Sequence, residues 1–207
     1  MDGDVDERRR EPRMKSSQNN RDRALHAALA IAGSQGIRAL THGRVDSTAG
    51  LPAGTTSNHF RTRAALLHAT VDHLVKAEQS AFAADSAPRT VDDLIEAITQ
   101  FIQDAAGAQR ELTAARYAFF VEGFHDPHIK ETLAQARQRI DVWAAQSLER
   151  LGVSRPFAAA DRILTYVDGA ILHALAFDGI SYVQDLAVAV RSLIDGVEGA
   201  SAQDPAH

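Results

Sequence analysis

Two short stretches hold the side chains whose types and spacing could do chemistry. The first, EGFHDPH at residues 122–128, sets two histidines among two carboxylates. Glu122 and His125 stand three apart, a spacing at which helical side chains can share a metal ion. Asp126 directly precedes Pro127, however, and that pair reads better as the cap and first residue of a helix. The histidines His125 and His128 then fall around a short connector, and no metal is expected there. The second stretch, TTSNH at residues 55–59, follows a proline and a glycine and holds short or polar side chains only. Threonine, serine and asparagine form helices poorly because they compete for backbone hydrogen bonds. They suit an approach to another polar surface. Short side chains let the backbone come close, and each can bond to phosphates and base edges.

Other chemistry finds little support. The chain has no cysteine, which excludes disulfides, thiolate metal sites and a cysteine nucleophile. It contains no phosphate loop, glycine fingerprint or Ser-His-Asp order. His173 lies on an apolar helix face and reads as a hydrogen-bonded core or interface histidine rather than a catalyst. No enzyme activity, catalytic residue, cofactor or metal is therefore expected. No apolar run approaches the roughly 18 residues of a membrane span, and the charged N-terminus is not a signal peptide. A soluble, cytoplasmic protein is the expectation.

Charge is unevenly placed. The net value is −5, yet residues 8–76 carry twelve Lys and Arg against four acids, a surplus of eight. Such asymmetry suits a basic N-terminal part facing a polyanion and an acidic remainder kept off it. A solvated tail would also account for it, since much of the surplus sits in residues 8–23.

The elements that must position these residues are helical throughout. Residues 1–20 are polar and unpatterned and read as a disordered tail. Leu25, Leu29 and Ala32 keep a helical period over about 21–34, with Gly36 as a stop. Thr41 can cap a helix over about 42–49 that ends at Gly50. The TTSNH stretch then belongs to a third helix, about 53–59, and a fourth begins near Thr62. Three short helices with a glycine-containing turn between the second and third make a helix-turn-helix. Val45 and Phe60 would be its apolar anchors. The fold class is all-α: a helix-turn-helix domain over 21–66, then a larger helical ligand-binding and dimerisation domain over 67–200.

The flanks of the short stretch sharpen this. Ala49-Gly50-Leu51 ahead, His59-Phe60 closing it, and Arg63 followed by Leu66-Leu67 resemble the DNA-binding region of the TetR family of one-component transcriptional regulators. Arg63 stands where that family usually has lysine. Thr56 and Ser57 replace a large apolar residue and a tyrosine, and Asp46 replaces a small residue. The resemblance implies a homodimer on a palindromic double-stranded operator, and no membrane. Thr55, Asn58 and His59 would face the major groove with Thr56 and Ser57 beside them, and Thr41, Arg44, Arg61 and Arg63 would lie near phosphates. It further implies a repressor. A small molecule entering the C-terminal domain would tilt the fourth helix and change the spacing of two recognition helices set roughly 34 Å apart. A helical protein-interaction module without specific DNA binding is the alternative.

The rest of the chain supports a core-forming domain. Val91, Leu94, Ile95, Ile98, Phe101 and Ile102 trace one apolar face behind Thr90 as N-cap. Phe101, Tyr117, Phe120, Phe124 and Trp143 are candidate ligand-binding residues and could equally be plain core; a hydrophobic effector would suit them. Over about 156–177, Leu164, Val167, Ile171 and Leu175 mark one apolar face and Ile163, Tyr166, Ala170 and Phe177 another. Two faces imply burial on both sides, as in a homodimer built from this helix and the last, which carries Val183, Leu186, Val190 and Ile194; a monomer with a central buried helix is the alternative.

Overall fold

The computed structural model describes the backbone of residues 4–82, 88–177 and 185–199, and the side chains of 17–78, 88–177 and 185–197. Among the described residues there are helices and no strand. They run α1 (Asp4–Gln35), α2 (His42–Ala49), α3 (Thr55–His59), α4 (Arg63–Phe82), α5 (Val91–Ala106), α6 (Arg110–Glu122), α7 (Pro127–Arg150), α8 (Pro156–Ala176) and α9 (Leu186–Gly199). A 3-10 turn, Ile37–Ala39, separates α1 from α2. Val183, expected in the last helix, lies outside the described residues. Contacts divide the chain into two compact units, one of Met1–Glu78 with Ala114–Lys130 and one of Gln79–Thr113 with Glu131–His207. No described helix is long and apolar enough to cross a membrane.

In the first unit, α1 begins at Asp4, well before the expected 21. The stretch read as a disordered tail is rich in Arg, Glu, Met, Lys and Gln, whose intrinsic preference for helix is high. Polarity without an apolar stripe concealed it. Further along, Ala24, Leu25, Ala28, Ile31 and Ala32 of α1 are buried, as are Val45, Leu51, Phe60 and the α4 residues Leu66, Val71 and Leu74. Both expected anchors, Val45 and Phe60, thus lie in the core. Among the described residues, Phe119 of α6 is the aromatic side chain buried completely.

In the second unit, Thr90 caps α5 in a reciprocal arrangement. Its hydroxyl accepts from the Asp93 amide, and the Asp93 carboxylate accepts from the amide of Thr90. Leu94, Ile95 and Ile102 of α5 turn inward, but Phe101 is exposed. On α8 the buried set is Ala159, Ala160, Ile163, Val167, Ala170, Ile171 and Ala174. Of the two apolar faces read on this helix, one chain buries parts of both, Ile171 included. Leu172 and Phe177 remain exposed, as does Val188 on α9. Arg137 of α7 holds α8 through Asp168 (2.6 Å) and bonds Asp141 one turn on (2.7 Å).

Candidate nucleic-acid interface

The link between α2 and α3 is built from backbone geometry first. Gly50 closes α2 at φ 60, a left-handed conformation that suits glycine. Arg23 of α1 reaches across and donates to the carbonyls of Ala49 (2.7 Å) and Gly50 (3.3 Å), so the end of α2 is satisfied from outside. α3 then opens on Gly54 at φ 88, a residue with no side chain to cap a helix. Because Ala53 and Gly54 form this turn, α3 starts at Thr55, two residues later than the sequence suggests.

The missing cap comes from the neighbouring helix. Asp46, buried at 3% exposure, accepts from the Gly54 amide (2.8 Å), the Thr56 amide (2.8 Å) and the Thr56 hydroxyl. Burial alone would raise the carboxyl's pKa. The Thr56 hydroxyl, the two amides and the nearby His42 outweigh it and hold the group below its ordinary value. At the other end of α3, the Phe60 carbonyl lies 2.7 Å from His42 Nε2. A carbonyl only accepts, so Nε2 carries the proton.

The expected DNA-contacting residues divide. Asn58 is exposed, and Thr55 and His59 are half-buried. With about 3.6 residues per turn, positions 55, 58 and 59 share one side of α3. Thr55 donates its hydroxyl to Pro52 (2.6 Å), and Ser57, half-buried, donates to Gly54 (2.9 Å). Thr56 does not belong with them: it is 0% exposed and its hydroxyl is engaged by Asp46, so its place is inward. Thr41 caps α2 by accepting from the Arg44 amide, and both residues are exposed. Arg44 also donates to Gln35 (2.8 Å) and Arg63 to the Ile37 carbonyl (2.9 Å), while Arg61 is exposed. Sequence reading missed Asp46, His42 and Arg23. No local signal marked the Asp46–Thr56 pair, whose bond spans ten residues.

The aromatic candidates divide too. Tyr117 and Trp143 are half-buried, whereas Phe101, Phe120 and Phe124 are exposed, Phe124 at 72%. The last three line no enclosed core. Phe119, left out of the candidate set, takes the buried place that helical register denies Phe120.

The histidine-rich connector has another partner. Asp126 caps α7, accepting from the amides of His128 (3.0 Å) and Ile129 (3.2 Å), and its second oxygen lies 2.9 Å from His68 Nε2 on α4. His68 and His128 stack at 4.1 Å between centroids, and His128 Nε2 is 3.6 Å from Asp72. Among the described residues, no three His, Asp or Glu side chains form a group that could hold a metal ion. On the other side of α4, His73 meets His26 of α1 edge-on at 4.6 Å.

Residues 89–198, just over half of the chain, match the family model of the tetracyclin repressor-like C-terminal domain. The chain belongs to the TetR family. Solved TetR-like structures share its fold at low identity. A transcriptional regulator from Rhodococcus sp. Rha1 is 19% identical with a TM-score of 0.74, over 84% of this chain and 96% of that one. A TetR family member from Streptomyces coelicolor A3 is 22% identical with a TM-score of 0.68, over 84% and 97%. The multidrug binding protein EbrR, complexed with ethidium, is 21% identical with a TM-score of 0.67, over 84% and 98%. Comparison with curated proteins finds no match.

Proposed function

We propose that the chain is a ligand-responsive transcriptional repressor that binds a palindromic operator as a homodimer and is released by a small hydrophobic molecule. The observation that carries this reading is α3. Thr55, Asn58 and His59 share its outer side, while Thr56 ties its inner side to α2. Such a helix can enter a major groove with Asn58 bonding to a base edge and Arg61 near a phosphate. The basic surplus of residues 8–76 would add attraction to the duplex that salt weakens.

We assign dimerisation to the exposed apolar side chains of Leu172 on α8, Phe177 just after it and Val188 on α9. Ile171 is already inside its own unit, so Leu172→Glu is the informative variant. It should yield monomer in analytical ultracentrifugation, and an unchanged dimer would refute the assignment. EbrR's complex with ethidium supports an aromatic effector. Trp143, the single tryptophan, is half-buried and can report binding by its fluorescence.

The experiment is a selection of duplexes from a random library by the full chain, followed by anisotropy titrations at several salt concentrations. A palindromic sequence should emerge, and Asn58→Ala should weaken its binding by about 1–3 kcal/mol while leaving random duplex unaffected. Equal loss on both duplexes would remove Asn58 from base reading. Ethidium and neutral aromatic probes, titrated against the complex, should release the DNA; probes without effect would retire the effector class.

A further inference from the structure

We infer that His42 and Asp46 form a two-ended clamp that sets the pose of α3, and that base discrimination by this helix depends on the clamp. The inference rests on the repressor reading and adds two positioning residues to it.

α3 has five residues, Thr55–His59. A helix that short is not self-sustaining in water, because the cost of nucleation is spread over too few hydrogen bonds. Its geometry must be imposed from outside. The bonds that impose it come from one neighbour and reach both ends. Asp46 takes the amides of Gly54 and Thr56 at the start, and His42 donates to the carbonyl of Phe60 at the finish. Residues 42 and 46 are one turn apart and so share a face of α2.

A fourth bond fixes rotation. The hydroxyl of Thr56 donates to the same carboxylate, which turns position 56 toward α2. Positions 55, 58 and 59 are thereby turned away from it. A cap that served stability alone would need only the amides. The side-chain bond adds azimuth, and azimuth is what base reading requires. Groups that recognise a ligand must be held within roughly 0.5 Å and 10–20° of their working geometry. The acid at 46 and the hydroxyl at 56 are on this account one device.

The test uses the full chain and the duplex it selects from a random library, with a scrambled duplex as reference. In Asp46→Asn one carboxylate oxygen becomes a donor facing a donor; in His42→Ala the far end is released. Each should lower the selected-to-scrambled affinity ratio by about ten-fold or more while scrambled binding stays within about three-fold of wild type. His42→Gln, which keeps a donor, should restore most of the ratio. Amide hydrogen exchange supplies a readout independent of DNA. Gly54 and Thr56 should exchange faster in Asp46→Asn, with Leu66–Leu74 of α4 unchanged. If Asp46→Asn loosens α4 as well, Thr56→Val decides. It keeps both amide bonds and removes only the rotational one, so the ratio should still fall several-fold; an unchanged ratio overturns the clamp. Wild-type ratios in Asp46→Asn and His42→Ala overturn it equally. A wild-type chain that selects no sequence defeats the repressor reading itself, and the positioning role falls with it.

Discussion

Among the described residues, the first unit fastens helices with His and Asp side chains in two places, and the two are built differently. Between α2 and α3 the carboxylate of Asp46 is buried and bonds three donors. Between α4 and the start of α7 the pair His68 and Asp126 is 31% and 24% exposed, and His128 with Asp72 is 47% exposed on both sides. The residue types are alike, but burial separates their consequences. Removing a buried acceptor strands its donors without water, whereas an exposed pair exchanges one partner for solvent. The first arrangement therefore fixes geometry, and the second adds only a weak tie between its helices.

The largest effect should come from Asp46→Ala. It leaves the Thr56 hydroxyl and two amides without their acceptor and should cost about 3 kcal/mol, read from urea denaturation. A loss below about 1 kcal/mol would put the two regions on a par and remove the contrast.

A smaller effect should appear with pH. Burial first, then the nearby His26, lowers the pKa of His73, with Arg21 and Lys76 adding to this and Asp22 opposing it. A depressed histidine contributes stability above its ordinary value of 6.5 and loses it as pH falls. Asp46 and Asp126, also held below their ordinary value of 3.8, contribute above that value and lose it only in stronger acid. For Asp126, burial works upward and the His68 bond, the Ile129 and His128 amides and the charge of His68 prevail. Thermal melts should thus weaken in two stages, one beginning near pH 6.5 and one below pH 4. His73→Gln should abolish the first stage only; a melt that keeps it would assign the early loss elsewhere.

The smallest effects belong to the exposed pairs. His68→Ala should cost about 0.5–1 kcal/mol at pH 7 and His128→Ala less, both by urea denaturation. A cost for His68→Ala as large as that of Asp46→Ala would break the comparison from the other side.

Local signals made much of this legible in advance. Thr41 and Gly50 punctuate α2, and its observed bounds are His42–Ala49, because a hydroxyl cap and a left-handed glycine act within one turn of where they stand. Thr90 and Asp126 announced α5 and α7 for the same reason. Depth was not legible. Nothing in TTSNH distinguishes buried Thr56 from its neighbours, since its partner stands ten residues upstream. Phe119 and Phe120 are adjacent and identical in type, and only the packing around α6 decides which is buried. The His68–Asp126 bond spans 58 positions and leaves no local trace.

That difference in span has a kinetic consequence. Asp46 reaches partners eight and ten residues along the chain, and His42 one eighteen along. Loops of ten residues close in roughly 10–100 ns, so these contacts can form before slower, non-local ones reward chain ordering. α3 would then be placed early, within a local nucleus. On that footing the loss of Asp46 should slow refolding and leave unfolding nearly unchanged, and the two arms of a chevron measured by stopped flow would show it.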